Sequence, residues 1–430
     1  MKRPKFIVLG AGLTGLSYAY NKLKKGYKAT IFERDKNVGG LMKTYNFNGF
    51  LFDFGPHLFR SKDKRVLNFV KELLGSNYHN ISSNPAIFKY GRVFDNVIPV
   101  ITIRNINNLP KKLQEKIKSE ISNKNEKNTV NLSNFKDCIV SQIGETLYWE
   151  FFGQYSKKWW GIEPEKLSSD LAPKNIKIEE KKSYGHITTD FNKVSEELYP
   201  IYGGIFEIIR RLSEEINKLG GKINTNYCVK RLEVDGEFID SIVVEHDGEE
   251  SEISIQNNNI LISTIPLDHL CNMLNINFDL QYRADICIYI KLKTEKLFDY
   301  SWMYFHDSDI IFSRIYEPKY YSQYNAPKKY TSLCVEVTCF EGDKIWNDEY
   351  LGEKVIEQLI DLDIIKRSHK PEVLGIVKNP HAYPIYTVDY KEKLEKIFDK
   401  LKLYKNLKVI GRTGSFRYEN MGECLKWAIY

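Results

Sequence analysis

The chain opens with a strict exchange of buried and amphipathic patterns. "KFIVL" is an apolar run of strand length, "LTGLSYAYNKLKKG" carries apolar residues at helical spacing and stops on a glycine, and "ATIF" is a second apolar run. Strand, helix and strand in such close order predict a βαβ unit on a parallel sheet. Further on, "FKYGRVF" (88–94) predicts a hairpin with a glycine turn. Residues 106–150 are polar, rich in lysine and asparagine, and then helix-periodic. "GGIFEIIRRLSEEINKLGGKI" predicts an amphipathic helix between glycine pairs. Strands are predicted over 226–244, at "NNILISTIPL", and over 286–293, 310–315 and 332–338. The chain ends "NLKVIGRTGSFRYENMGECLKWA", a strand, a glycine turn and a helix start.

Gly10, Gly12 and Gly15 give the first turn its G-x-G-x-x-G spacing. The first glycine permits the tight turn, the second lets backbone approach a pyrophosphate, and the third lets helix and strand pack. Leu13 and Thr14 then open a helix whose free N–H groups face the phosphates. Glu33, at the end of the second strand with Arg34 beside it, is placed to accept from ribose hydroxyls. The fold class that follows is mixed α/β (α+β). A Rossmann-like, discontinuous cofactor domain (1–80, 200–270 and 405–430) is interleaved with a helical insertion (100–190) lining the substrate cleft. An antiparallel-sheet substrate domain covers 81–99 and 271–404.

Composition narrows the class. At 430 residues the chain suits two or three domains, and its 42% hydrophobic, 28% charged mixture is that of a globular protein. No apolar run approaches a membrane span, and the first residues lack a signal-peptide cleavage site. The net charge of +7 comes from scattered lysines, which argues for a solvated surface and against a nucleic-acid groove. Seven dispersed cysteines complete no zinc pattern, so no metal site and a reducing, cytoplasmic location are expected.

Several residues then point to chemistry. The pair Gly39–Gly40, followed by Leu41, comes just after the ribose-binding acid, where a second backbone turn wraps FAD; an NAD enzyme gives no reason for it. Asp53, Gly55, Pro56 and His57 form a short loop expected to approach the flavin ring. In "IIFSRIYEPK", Arg314 arrives where a core residue belongs; it either pairs with Glu317 or awaits an anion. Tyr155 and Trp160, with Lys157, Lys158 and Gly161 beside them, read as helical core or as an aromatic pocket rim.

These stretches resemble the superfamily of amine oxidases, protoporphyrinogen oxidases and UDP-galactopyranose mutases, and in order along the chain they resemble the mutases most. "QYSKKWWG" resembles the motif lining the mutase nucleotide and sugar pocket. "IIFSRIYEPK" and "HAYPIY" resemble the strand with a phosphate-binding arginine and a later Tyr-Pro element. "GRTGSFRYENMGE" resembles the mutase ending, where the turn Gly411–Arg412 replaces the oxidases' Gly-Asp. The resemblance implies FAD, active when reduced, held additionally by Thr264, His57, Gly411, Arg412 and Met421. It implies a nucleotide-diphosphate sugar substrate bound by Tyr155, Trp160, Arg314, Tyr383 and Tyr418. Catalytic roles fall to His57, Arg314, Tyr383 and Tyr418, with flavin N5 as nucleophile on the anomeric carbon and no net electron transfer. The expected activity is a pyranose/furanose mutase of polysaccharide biosynthesis, an isomerase; the alternative is an oxidase or desaturase of the amine oxidase or protoporphyrinogen oxidase type. An external reductant such as NAD(P)H fits as a partner, and a homo-oligomer is left open. One departure stands out. The mutases' second phosphate-binding arginine has no counterpart in "LAPKNIKIEEKKSYGHITTDF", which offers lysines and His186.

Overall fold

The computed structural model describes residues 3–96, 100–122, 132–179, 196–256 and 258–430. The fold rests on two sheets. The first is parallel, with strands in the order Lys222–Asn224, Lys28–Phe32, Lys5–Leu9, Ile260–Ser263 and Leu407–Val409. Three of its strands end in residues that are almost wholly buried, as parallel strands covered on both faces must be. The helices Leu13–Lys24, Phe206–Lys218 and Met421–Ile429 pack together on it. Strand pieces from the two ends and the middle of the chain therefore meet in one domain.

The second sheet has seven strands, in the order Glu372–Pro384, Tyr282–Leu292, Thr331–Cys339, Arg314–Tyr316, Met303–Phe305, Ala86–Lys89 and Arg92–Asp95. It is antiparallel except where Met303–Phe305 runs parallel to Ala86–Lys89. The expected hairpin at 88–94 is present, turning through Tyr90 (φ 53°) and Gly91 (φ 65°).

Period-2 alternation gives this sheet two unlike faces. Ala284, Ile286, Ile288 and Ile290 join Leu333, Val335 and Val337 in a core shared with Val355 and Leu359 of the helix Leu351–Asp361. The intervening residues of the same strands are Arg283, Asp285, Cys287 and Tyr289, and Cys334, Glu336 and Thr338, all buried too. A buried polar face needs partners, so this face roofs a site.

The strand expected over 310–315 begins only at Arg314. Ile310 and Phe312 still enter the core. Their backbone, however, is satisfied by a turn and by a side chain: Ile310 N donates to Asp307 O, and Ile311 N donates to Gln358 Oε1 at 2.7 Å. The insertion contributes Phe135–Ile143, a π-helical turn at Trp149–Gly153 and the helix Gln154–Trp160. The lysine-rich loop carrying His186 lies mostly outside the described residues. Among the described residues no helix is long and apolar enough to cross a membrane.

Candidate functional site

The cradle on the parallel sheet is made of backbone. Gly10 has φ 96°, and a Cβ there would sit 2.6 Å from Thr264 Oγ1, whose hydroxyl donates to Leu9 O at 2.8 Å. A Cβ on Gly15 would overlap the Gly10 carbonyl oxygen. Gly12 caps the first helix without a side-chain hydrogen bond, so the N–H groups opening that helix, at Leu13 and Thr14, point outward unclaimed by a cap. Gly39 (φ 122°) donates to Ala11 O at 2.8 Å, and Gly40 (φ 55°) leads into the short turn containing Leu41. The second turn is thus tied to the first. Gly411 (φ 89°) closes the far side, where a Cβ would come within 2.9 Å of Thr14. Met421 starts the last helix beside it.

Glu33 accepts from the N–H groups of Ala11 (2.7 Å) and Asp35 (3.0 Å). Burial raises its pKa against the pull of those two bonds. Each oxygen keeps a lone pair for a ribose hydroxyl. Arg34 instead points to solvent and pairs with Asp35 at 3.6 Å.

The roof is made of side chains. Arg314 Nε and Nη2 donate to Glu336 Oε1 and Oε2 at 2.7 and 2.5 Å, a bidentate pair in which Glu336 is fully buried. Its Nη2 also reaches the Tyr383 hydroxyl at 3.4 Å, and its guanidinium lies 5.1 Å from the Trp159 ring centre. Asp285 stands beside Glu336. Burial and the Glu336 charge push its carboxyl well above the usual range. Arg412 donates from Nη1 to Glu419 O (2.7 Å) and from Nη2 to Ala382 O (3.0 Å), while its buried Nε has no partner. Its guanidinium sits 4.5 Å from the Tyr418 ring, which stacks on Tyr383 at 5.8 Å. Trp160 meets both tyrosines edge-on.

His57 lies where cradle and roof meet. Burial and the guanidinium charges of Arg314 and Arg412 lower its pKa to about 4, so the ring is neutral at pH 7. Its Nδ1 is buried without a partner. Two cations, a neutral imidazole and four aromatic rings therefore converge on one wall with hydrogen-bonding capacity to spare.

Some expectations need correction. Glu317 is not the partner of Arg314; it accepts from the Leu297 and Phe298 N–H groups and the Thr331 hydroxyl. Lys158 does not line a rim. Its ammonium is held on the carbonyls of Phe305 and Asp307, where burial lowers its pKa to about 7. Asp53 accepts from the hydroxyls of Thr44 and Tyr199 and from Ile205 N, as a buried brace. Tyr155 stacks on His306 at 4.6 Å behind Trp159, with its hydroxyl buried and unpartnered. Glu336, Asp285 and Arg283 were not anticipated. Their signal was present in "YRADICIYIKL" and "SLCVEVT", where polar residues recur at every second position of otherwise apolar strands.

Comparison with known proteins agrees with this geometry. The family model of flavin containing amine oxidoreductases matches residues 13–284. A probable UDP-galactopyranose mutase of Klebsiella pneumoniae is 26% identical over 178 residues, 40% of this chain and 44% of that one. A 4,4'-diapophytoene desaturase of Staphylococcus aureus (strain MRSA252) is 41% identical over 76 residues, 18% of this chain and 15% of its own. The chain thus matches less than half the length of either relative. Among solved structures, reduced UDP-galactopyranose mutase superposes with a TM-score of 0.83 at 21% identity, covering 98% of this chain and 93% of that chain. A putative protoporphyrinogen oxidase from Exiguobacterium sp. 255-15 gives 0.74 at 13% identity, covering 100% and 97%. The two structures share the fold, and FAD is the dinucleotide that the doubled glycine cradle takes. The chain is an enzyme of the flavin-containing amine oxidoreductase family.

Proposed function

We propose that this enzyme interconverts the ring size of a nucleotide-diphosphate sugar, as a pyranose/furanose mutase working with reduced FAD. The observation that carries the reading is the roof: Arg314 and Arg412, whose charges both act on His57, with Tyr383 and Tyr418 packed against the guanidiniums. Two guanidiniums and two phenols suit a diphosphate, whose charge they neutralise and whose oxygens they can bond. An amine oxidase or desaturase takes an apolar or amine substrate and has no use for such a wall.

Reduced FAD, when bound, supplies a nucleophilic N5 for the anomeric carbon. The chain's own residues do the rest. Arg314 is held in place by Glu336, which fixes its guanidinium and offsets its charge, so the net positive charge for an anion comes from Arg412. Arg412 adds a second cation. Together they retain the expelled diphosphate until the sugar has reclosed, which raises its effective concentration for recapture. Trp160 and Tyr418 offer aromatic faces to the sugar or base. Neutral His57 can accept or donate a hydrogen bond at Nδ1. No net electrons leave, so a reductant such as NAD(P)H is needed only to prime the flavin.

Chemically reduced protein incubated with UDP-galactopyranose and other nucleotide sugars should yield furanose products without consuming stoichiometric reductant. Activity of the oxidised form alone, or peroxide release with an amine or polyene substrate, assigns the enzyme to the oxidase alternative.

A further inference from the structure

Asp268, His269 and His381 meet at the seam between the two sheets, outside the cradle and the roof. Asp268 and His269 lie on the helix Leu267–Met273, which follows Thr264 and belongs to the parallel-sheet domain. His381 lies on Glu372–Pro384, the edge strand of the seven-stranded sheet. One ligand atom from each side chain falls within 4.8 Å of the others. His381 Nε2 is 2.8 Å from Asp268 Oδ2, and the two imidazoles meet edge to face at 4.8 Å. That hydrogen bond accounts for one pairing and leaves two donors idle. Asp268 Oδ1 is buried without a partner, and among the described residues the ion-pair partner of Asp268 is His381 alone. His381 is 7% exposed, and its backbone N–H is fixed by Asn379 Oδ1. The Tyr282 hydroxyl, whose ring packs on His381, is committed to Thr413 O.

We propose that Asp268, His269 and His381 bind a divalent transition-metal ion of the zinc class, clamping the cofactor-domain helix to the strand that carries Tyr383. Two imidazoles and a carboxylate are the donor set such an ion prefers, whereas magnesium and calcium require all-oxygen shells. Zinc bonds of about 2.0–2.2 Å set tetrahedral ligands roughly 3.3–3.5 Å apart, so the Asp268–His381 pair, at 2.8 Å, opens slightly while His269, within 4.8 Å of both, closes in. The clamp has a consequence for the neighbouring wall. His381 is joined through Ala382 to Tyr383, and the Ala382 carbonyl accepts from Arg412 Nη2. Fixing His381 therefore fixes the backbone on which both roof residues depend. None of this rests on the sugar chemistry proposed above.

The test uses the full-length, FAD-loaded protein, stripped of metal and titrated calorimetrically with zinc chloride. A single equivalent should bind saturably and raise the melting temperature. Cobalt chloride should give weak visible bands without the thiolate charge-transfer absorption that the free cysteines would produce. His269→Ala and Asp268→Asn should weaken binding about tenfold or more. His246→Ala, at an exposed histidine 3.4 Å from Asp247, should leave it unchanged. His381→Ala removes a buried side chain and can unfold the strand; His269→Ala leaves the Asp268–His381 bond in place and decides the matter. No saturable binding, thiolate absorption, or binding that survives His269→Ala overturns the proposal.

Discussion

The cradle and the roof meet at His57, yet they are built from opposite materials. The cradle is backbone. Gly10, Gly15, Gly39, Gly40 and Gly411 matter because of what they lack, and the helix start donates N–H groups that no side chain provides. The roof is side chain on side chain. Arg314 is held by Glu336 from the neighbouring strand, Tyr383 arrives from an edge strand, and Arg412 comes from the turn after the last parallel strand. A site made of backbone fails at a single atom of excess. A site made of compensated charges fails when the balance is broken, and a second change can restore it.

The cradle offers the largest expected effect. Gly15→Val places a side chain through the Gly10 carbonyl, and the helix has to move off its strand. The cost is ~3 kcal/mol or more, and flavin content per protein should fall to background. Flavin absorbance and melting temperature check this together; a yellow, fully stable Gly15→Val protein breaks the account of the cradle.

The roof comes second. Arg314→Ala leaves Glu336, 0% exposed, without its counter-charge, and should cost about 3–5 kcal/mol of stability. It should also weaken nucleotide-sugar binding to the reduced protein. The double variant Arg314→Ala/Glu336→Gln separates these effects. Melting temperature should largely recover because the orphaned charge is gone, while calorimetric sugar binding should stay weak because the cation is gone too. Binding that recovers along with stability makes Arg314 a purely structural residue.

The same contrast explains what could be read from the sequence. The first turn of the cradle was legible because Gly10, Gly15 and Glu33 sit within one βαβ unit, and local spacing specifies backbone conformation. Arg314 was recognised as anomalous, but its partner was sought three residues away at Glu317. The true partner is set by strand register, Arg314 opposite Glu336, and register links distant segments that no local pattern joins. Asp53 misled for a related reason. It stands next to the right loop, but its carboxylate is taken up in a brace of Thr44, Tyr199 and Ile205, partners that lie far away in sequence or across a hairpin. Lys158 misled because a lysine suggests solvent, and here a buried ammonium satisfies two carbonyls.

A smaller effect concerns His57, where cradle and roof meet. Its folded pKa of about 4 lies below the ordinary value of 6.5. Between those values the unfolded chain binds more protons than the folded one, so stability rises with pH through that window and is level above it. His57→Gln should flatten the slope by on the order of 1–3 kcal/mol across the window, read from denaturant unfolding at several pH values. An unchanged slope means that burial and the two guanidiniums do not shift this ring.

The smallest expected stability effect is at Tyr418, and it sharpens the comparison most. The sequence pointed to its hydroxyl as a phosphate contact. In the structure the residue is 48% exposed, and its ring is what is engaged, lying against the Arg412 guanidinium and stacked on Tyr383. Stacking and hydroxyl can be separated. Tyr418→Phe keeps the ring and should alter stability by less than about 0.5 kcal/mol, whereas Tyr418→Leu gives up a partly exposed cation–π contact worth roughly 0.5–1 kcal/mol. Nucleotide-sugar affinity on the reduced protein then decides between the two roles. If the ring holds Arg412 in place for the diphosphate, Phe should bind almost as the native protein does and Leu should be several-fold weaker. If Phe and Leu are equally impaired, the hydroxyl itself touches the substrate. In that case the roof, like the cradle, presents a donor straight to its ligand and does not work by holding a charge in position.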